Sequence, residues 1–213
     1  MTKRGGGYEK SRDSYLYDYN RPSMELKRVI AWRRSVRRFQ ARPIPKEILI
    51  EILDAARLAP SSSNSQPWHF IVVDRSDLIE RIASSAPIGT RSIISWARDA
   101  AAIIVCCYRK RITHHLAGLF GHDNHLIDLA IATDHLVLRA TDLGIGSCWI
   151  GWFNESRIRK ILAIPRGYRI GVLVALGYPE QPSNEKGIGG IEARPRKPLS
   201  EITSYNLFSD PFI

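Results

Sequence analysis

The sequence predicts a single mixed α/β domain. The chain has 213 residues, of which 44% are hydrophobic and 24% charged. It can therefore bury a sizeable core, which excludes a disordered or collagen-like protein. Amphipathic segments with helical spacing alternate with short, apolar, β-branched runs typical of strands. No internal repeat or low-complexity tract interrupts this alternation, which favours one domain.

The positive charge of the chain is concentrated near its start. The formal net charge is +10, and residues 1–42 contain twelve Lys or Arg residues against four acids. A local basic segment is therefore favoured over a nucleic-acid surface that covers the whole chain. Residues 1–22 are polar and tyrosine-rich without a helical or strand period. They predict a flexible basic arm that precedes the domain at 23–213.

Two helices are predicted at the beginning of the domain. Ser23 is a suitable N-cap for a first helix that continues into the arginine-rich run 33–38. Pro45 opens a second helix, whose apolar residues follow the i, i+3, i+4, i+7 pattern. This helix must end before Pro60.

The middle of the chain predicts two buried strands. A polar loop at 61–67 is followed by an apolar run at 69–73, and a second apolar run occupies 101–107. Both runs are short and rich in β-branched residues, as buried strands are.

The second half of the chain predicts two further helices, a strand and a tail. Residues 126–143 carry apolar side chains along one helical face, and Gly144 is a suitable stop. Asn154 can cap a helix that ends near Leu162. The apolar run 170–177 predicts a strand, and a tail follows from 197 to 213. The tail contains apolar side chains that need a packing partner: Leu199, Ile202, Leu207 and Phe208.

Three guanidinium groups and a hydroxyl occur within five residues after the first helical segment. Arg33, Arg34, Ser35 and Arg37 can hold a phosphomonoester through forked, charge-assisted hydrogen bonds. The alternative is a solvated basic face, because runs of charge usually lie on the surface.

A second candidate binding segment is the loop between the second helix and the first strand. It is bracketed by Pro60 and Pro67 and is crowded with amides and hydroxyls. Asn64 and Gln66 can each donate and accept, so the loop could recognise the alternating N–H and C=O edge of a heterocycle. The alternative is an ordinary capping turn.

The glycine-containing segment 144–151 is not a dinucleotide-binding loop. Its glycines follow a predicted helix, and Trp149 stands where a third glycine would be required. A close-packed entry to a strand is favoured, in which Gly151 lets a flat ligand approach the backbone. Further along, Arg194 and Arg196 lie in an extended, proline-containing stretch, where they could complete an anion cradle with the early arginines.

The segment 114–128 is rich in histidine and could suggest a metal site, but a lid or surface loop is favoured there. The spacing of its side chains matches no zinc pattern. These side chains are His114, His115, His122, His125, Asp123 and Asp128. The sequence also lacks the G-x-S-x-G, Walker lysine and H-E-x-x-H motifs, which disfavours hydrolases and nucleotidases.

Cysteine usage and hydropathy predict a soluble cytoplasmic protein without a membrane partner. Cys106, Cys107 and Cys148 form neither a disulfide framework nor a C-x-x-C pair. No stretch approaches the roughly 18 consecutive apolar residues of a membrane span. The first residues lack the apolar centre of a secretory signal.

Taken in order, several segments resemble the nitroreductase family of FMN-dependent oxidoreductases. These segments are RRSVRRF, APSSSNSQPWHFIVV, GIGSCWIGWF, ILAIPRGYRIGVLVALGYP and RPRKPL. The resemblance covers residues 28–202 and is most specific in the PSSxNxQPW block. It implies an α+β fold with a central, mostly antiparallel sheet flanked by helices. It also implies an intertwined homodimer whose C-terminal segment is exchanged onto the partner.

The resemblance also implies an FMN site shared by two chains. One chain would supply the contacts to the ribityl phosphate and the pyrimidine edge: Arg33, Arg34, Ser35, Arg37, Arg194 and Arg196. The partner chain would line the other side of the cofactor: Pro60, Ser61, Ser62, Asn64 and Gln66. Ile150 and Gly151 would bring backbone N–H groups to flavin N5. Many relatives carry an acidic residue where Ile150 stands, so only its backbone role is carried over.

The activity implied is hydride transfer from NADH or NADPH to FMN, followed by ping-pong reduction of a nitroaromatic, quinone or similar acceptor. The flavin N5 carries the chemistry, and the sequence offers no separate catalytic residue. One alternative is a specialised flavin enzyme of the flavin-fragmenting or reductive dehalogenase type. Such members rely on a specialised lid, which here would lie at 108–124, and the sequence of that segment matches no recognisable lid. Another is a protein that binds nucleic acid or an acidic partner through the arm, and this is less favoured. The acceptor and the nicotinamide preference are not indicated.

Overall fold

A four-stranded antiparallel sheet of order β1-β2-β4-β3 forms the centre of the fold. The computed structural model describes residues 24–86, 94–109 and 124–213. The strands are β1 (Trp68–Val73), β2 (Ala102–Arg109), β3 (Gly146–Ile150) and β4 (Tyr168–Gly177). All three predicted strands are present, and β3 follows Gly144 as the predicted strand entry. The α+β class with a mostly antiparallel sheet is confirmed.

Burial of the strands follows their place in the sheet. β2 lies inside the sheet, and its residues from Ala102 to Tyr108 are all buried. Helices cover both faces of the sheet, which explains why the β2 run is apolar without alternation. β1 is an edge strand and is mostly half-buried. The strand predicted at 69–73 is therefore present, but most of its residues are half-buried or exposed, so the prediction that it is buried is wrong.

Helices pack on both faces of the sheet. The described residues form α1 (Leu26–Trp32), α2 (Lys46–Arg57), α3 (Ser76–Ala83), α4 (Asn124–Asp142) and α5 (Glu155–Ile161). α2 and α4 cover one face, where Ile52 and Leu136 are fully buried. α3, α5 and a 3-10 turn at Ser95–Asp99 cover the other face. The sheet is thus the middle layer of a three-layer structure.

The first helix ends earlier than predicted. α1 stops at Trp32, and the residues from Arg33 onward are extended rather than helical. Ser23, the predicted N-cap, lies outside the described residues. The chain after Trp32 pairs with β3, and this long-range pairing takes precedence over local helical propensity.

Other helix boundaries agree with the sequence. Gly144 has φ +74° and follows α4, as a glycine stop does. The side chain of Asn154 accepts a hydrogen bond of 3.0 Å from the backbone N–H of Arg157, which caps α5. α3 was not predicted, although Ile79 and Ile82 are buried at helical spacing.

A buried ion network fixes α4 against α2. Arg139 of α4 pairs with Glu51 of α2 and with Asp142. Asp142 also accepts a hydrogen bond of 2.6 Å from the backbone N–H of Met24. These contacts hold α4 in place beneath the loop that precedes β1.

Two predicted segments fall wholly or largely outside the described residues. They are the basic arm at 1–22 and the lid at 108–124, of which the structure describes only the first two residues and the last. In the part of the chain that the structure describes, no helix has the length and hydropathy for a membrane crossing.

Candidate functional site

The arginine-rich segment is an extended strip that runs beside β3. The backbone N–H of Val36 donates to the carbonyl of Ser147 at 2.9 Å, and Ser35 forms a parallel bridge with Ser147. The Val36 side chain is 2% exposed. Because side chains alternate along an extended chain, burial of Val36 turns Ser35 and Arg37 toward the opposite side, where both are exposed.

The close approach of this strip to β3 depends on Gly146. A Cβ at Gly146 would lie 3.0 Å from three carbons of the β-branched Val36 side chain. Rotation of Val36 cannot relieve all three contacts, because one of the carbons is its own Cβ. A side chain at position 146 would therefore force the strip to shift away from β3.

Gly146→Ala is expected to lower the free energy of unfolding by about 1–3 kcal/mol, the usual cost of overpacking. The added methyl group would push Val36, and the arginines beside it, away from β3. Chemical denaturation of the purified protein measures this change. Gly167→Ala is the matched control, because its Cβ would meet only Arg109 Nε at an ordinary 3.9 Å. Equal stability of the two variants would contradict this account of the strip.

The segment after β4 forms the other wall of the site. Gln40 N–H donates to the carbonyl of Tyr178 at 2.8 Å, and Glu180 N–H donates to the carbonyl of Arg38 at 3.1 Å. The chain then continues to Arg194 and Arg196, which are both exposed. The early and late arginines therefore face one another, although they are far apart in the sequence.

Arg34 joins the two walls. Its Nε donates to the carbonyl of Ile191 at 3.2 Å, and its Nη2 donates to the carbonyl of Lys186 at 3.1 Å. Its Nη1 donates to the carbonyls of Ala31 and Arg33. Most of its N–H groups are therefore bound to backbone, which makes Arg34 a structural link as well as a predicted ligand.

Six arginines line the cleft between the two walls, which has a volume of about 410 Å³. They are Arg33, Arg34, Arg37, Arg38, Arg194 and Arg196. Two carboxylates, Glu180 and Glu192, also line it. Glu192 pairs with Lys186 at 2.5 Å, which lowers the pKa of its carboxyl group. Positive charge therefore exceeds negative charge in the cleft.

Like charges lie close enough in this cleft to affect one another. The pKa of Arg34 is lowered first by burial and then by the positive charges of Arg33 and Arg196. Within the described residues, none of Arg33, Arg37, Arg194 and Arg196 forms an ion pair. A bound anion would relieve this repulsion and accept the hydrogen bonds that guanidinium groups offer.

Cys148 lies beside the same arginines. Burial raises the pKa of its thiol, while Arg37, Ser35, Arg33 and Arg194 oppose that rise. The charges of Arg37, Arg33 and Arg194 all act on this one thiol, so the three residues lie near the same part of β3. This agrees with the predicted convergence of the early and late arginines.

The loop before β1 has an unusual backbone. Ser63, Asn64 and Gln66 have φ values of 52°, 50° and 44°, in the left-handed region that favours glycine. The backbone N–H of Gln66 donates to Ser61 Oγ at 3.0 Å, which closes the loop on itself. The loop is therefore a defined structure rather than a simple connection.

The two amides of this loop bind one another. Gln66 Nε2 donates to Asn64 Oδ1 at 3.0 Å. This bond leaves Asn64 Nδ2 as a donor and Gln66 Oε1 as an acceptor, side by side. Both residues are exposed. A neighbouring donor and acceptor of this kind can pair with the N–H and C=O edge of a heterocycle, as the sequence predicts.

The end of β3 presents an open piece of backbone. Ile150 is 4% exposed, so its side chain points into the core. Among the described residues, a Cβ at Gly151 would meet no atom within 4 Å apart from its chain neighbours. Exposed indole rings of Trp149 and Trp152 lie on either side in the sequence. The space above Gly151 could therefore admit a flat ligand.

One chain brings together only part of the predicted site. The cleft is lined by Arg33, Arg34, Ser35, Arg37, Arg194 and Arg196. It is not lined by the loop residues Pro60, Ser61, Ser62, Asn64 and Gln66, nor by Ile150 and Gly151. The loop residues are those that the resemblance assigns to a partner chain.

Sequence reasoning missed the role of Asp128. The sequence placed it in a possible metal cluster, whereas the structure places its carboxylate under the loop at 61–66. His114, His115, His122 and Asp123 lie outside the described residues. Where the structure describes the chain, no three His, Cys, Asp or Glu side chains are grouped as metal ligands.

Solved structures share this architecture. A nitroreductase family protein from Clostridium novyi is 32% identical, with a TM-score of 0.68 over 89% of this chain and 97% of that one. An FMN-dependent nitroreductase from Clostridium difficile is 25% identical, with a TM-score of 0.66 over 85% of this chain and 99% of that one. The fold and the cleft thus define a class of α+β proteins that includes flavin-dependent members.

Sequence relatives give the family. The chain belongs to the nitroreductase family, whose model matches residues 30–178. It is 35% identical to a provisionally named NADH dehydrogenase/NAD(P)H nitroreductase of Methanothermobacter thermautotrophicus, over 74% of this chain and 79% of that protein. An oxygen-insensitive NADPH nitroreductase of Helicobacter acinonychis is 28% identical over 66% of this chain and 80% of its own length. A 5,6-dimethylbenzimidazole synthase of Rhodospirillum rubrum is 28% identical over 73% of this chain and 82% of its own length.

Proposed function

We propose that this member of the family is an FMN-dependent oxidoreductase that takes hydride from NADH or NADPH. The observation that carries the proposal is the arginine cleft, where the half-buried Arg33 and the exposed Arg37, Arg194 and Arg196 have no carboxylate partner within the described residues. The name of the Clostridium difficile neighbour supports FMN as the cofactor, and the names of several relatives support NAD(P)H as the donor.

The residues present fit FMN. A phosphomonoester carries close to two negative charges at neutral pH and offers three acceptor oxygens. Arg33, Arg194 and Arg196 supply forked donors for such a group at one end of the cleft. The open backbone at Gly151 suits the flat ring system, because no side chain of the described residues lies within 4 Å of a Cβ placed there, its chain neighbours aside.

Bound FMN would supply the redox chemistry itself, passing electrons from the nicotinamide to a second small molecule. The chain binds and orients its ligands. Arg37 would place positive charge beside the pyrimidine edge of the ring, where negative charge is favoured on reduction. Asn64 and Gln66 would offer a donor and an acceptor from the other side. Nitroaromatics and quinones are the acceptors we propose.

A homodimer would complete the site. The loop at 61–66 does not line the arginine cleft of its own chain, so we assign it to the cofactor held by a partner. The C-terminal tail from 198 onward is exposed except for the half-buried Thr203, and Phe208 is 99% exposed. A second copy of the chain is the occupant that would cover it. We further propose that this dimer is cytoplasmic.

The proposal is tested by purifying the full-length protein and measuring its flavin and its turnover. We expect yellow protein with bound FMN that oxidises NADH or NADPH in the presence of quinones or nitro compounds. A panel of acceptors with each nicotinamide identifies the preferred pair. Colourless protein that takes up no added FMN would contradict the proposal.

A second candidate is a specialised flavin enzyme of the same family. The similarity to the 5,6-dimethylbenzimidazole synthase favours it, since that relative matches 73% of this chain. Incubation with FMN, NADPH and oxygen separates the two functions. Formation of 5,6-dimethylbenzimidazole would indicate the specialised enzyme, and turnover of FMN-bound protein without loss of flavin would indicate the reductase.

A further inference from the structure

Asp128 is a buried carboxylate whose hydrogen bonds among the described residues go to the loop at 61–66. It is 3% exposed and lies in the second turn of α4. Its Oδ1 accepts from the backbone N–H of Ser62 at 3.1 Å and from Ser62 Oγ at 3.3 Å. Its Oδ2 accepts from Ser65 Oγ at 3.4 Å. Among the described residues, no Lys or Arg forms an ion pair with it.

The loop needs such an anchor. Ser63, Asn64 and Gln66 all have left-handed backbone conformations, which non-glycine residues adopt only at a cost. Strained conformations persist where the surrounding structure fixes them, and such segments cluster at functional sites. Asp128 fixes the residues directly before and after Ser63 and Asn64, because Ser62 and Ser65 are its partners.

The anchor also determines which loop atoms face outward. Because Ser62 directs both its N–H and its hydroxyl to Asp128, those donors are not free for a ligand. The donor Asn64 Nδ2 and the acceptor Gln66 Oε1 remain on the exposed side. Without the carboxylate the backbone could relax from its left-handed conformation, and this pair would lose its fixed direction.

We propose that Asp128 is a positioning residue for cofactor binding, which holds the loop so that Asn64 and Gln66 can meet the flavin ring. This inference rests on the proposed function, since it assumes that FMN is the ligand. Asp128 acts through the loop and need not touch the cofactor. α4 itself is fixed by Arg139 and Glu51, so the anchor point is rigid.

The test is a fluorescence titration of apo-protein with FMN in four full-length proteins: wild type, Asp128→Ala, Asp128→Asn and Asp134→Ala. Asp134 is an exposed residue of the same helix, so its variant controls for the loss of one negative charge. Asp128→Asn keeps an acceptor for Ser62 and can donate to Ser65 Oγ, so it should partly restore binding. Circular dichroism of the apo-proteins checks that each is folded.

We expect the Kd for FMN to rise about tenfold to a hundredfold in Asp128→Ala, the range that one or two lost charge-assisted hydrogen bonds represent. Asp128→Asn should lie between that variant and wild type. Visible circular dichroism of the bound flavin should change in Asp128→Ala at saturating FMN, because the ring environment differs. These results support the inference.

Other outcomes are equally decisive. If Asp128→Ala binds FMN as tightly as Asp134→Ala does, the inference is overturned while the proposed function stands. If Asp128→Ala does not fold, Asp128→Asn is compared with Asp134→Ala instead. A Kd for FMN at least three times that of Asp134→Ala supports the inference, and a smaller difference overturns it. If wild type binds no FMN, the proposed function fails, and the inference fails with it.

Discussion

Replacement of Arg33 and Arg196 together by alanine is expected to raise the Kd for FMN at least about a hundredfold. A hydrogen bond to a charged group contributes about 1.5–3 kcal/mol, and the variant removes two groups that can each form such bonds with phosphate. Solvent reduces this gain at an open cleft, so the expected loss is taken from the lower end of that range. Equilibrium titration of the apo-protein measures the loss.

The control for this variant is Arg157→Ala with Arg166→Ala. Both residues are exposed and neither lines the arginine cleft, so the control loses the same net charge elsewhere on the surface. We expect it to bind FMN within about threefold of wild type, because distant exposed charges are screened by salt. A comparable loss in both double variants would contradict a phosphate site in the cleft and would indicate a general effect of net charge.

Most of the fold could be predicted from local signals. The β2 run and the cap at Asn154 are properties of a few adjacent residues, and the structure confirms both. The antiparallel pairing of the strands was not available from such signals. It came from the resemblance to the family, since strand pairing depends on residues far apart in the sequence.

The conformation of the arginine segment could not be predicted from its own residues. Local propensity favoured a continued helix, whereas burial of Val36 against Gly146 and its hydrogen bond to Ser147 favour an extended chain. The residue types were nevertheless sufficient to indicate an anion site. The anion site stays a prediction, and the structure shows the backbone that brings its side chains together.

The anchor of the loop could not be predicted either. Asp128 and Ser62 are 66 positions apart, and nearby histidines suggested a metal ligand instead. One signal was available: a loop rich in N–H and hydroxyl donors needs buried acceptors. That signal predicts that an acceptor exists but does not identify it. The resemblance assigns the second half of the proposed FMN site to a partner chain, and those residues stay a prediction because the structure describes one chain.

Deletion of residues 198–213 is expected to convert the proposed dimer into monomers and to abolish stable FMN binding. Within the described residues the tail bonds mainly to itself: Tyr205 N–H donates to the carbonyl of Asp210 at 2.8 Å, and the rings of Tyr205 and Phe212 stack with centroids 5.8 Å apart. Leu199 and Ile202 are each 59% exposed. Within the described residues, the apolar side chains of the tail are therefore largely exposed despite these contacts within the tail, as expected of a segment that packs on a partner.

The expected effect on association is large because each buried apolar side chain contributes about 1.5–3 kcal/mol, and two tails contribute to one dimer. Sedimentation at micromolar protein measures the oligomeric state, and FMN fluorescence measures retention of the cofactor.

The matched control keeps the full length and replaces only Leu207 and Phe208 by serine, so that apolar contact is lost without loss of the chain. Every tail residue from 198 onward except the half-buried Thr203 is exposed, so the tail contributes little to the packing of its own chain. The melting temperature of the monomer that each variant forms should therefore not be lowered by the change. A truncated protein that stays dimeric and yellow would contradict the exchange and would assign the dimer to another surface.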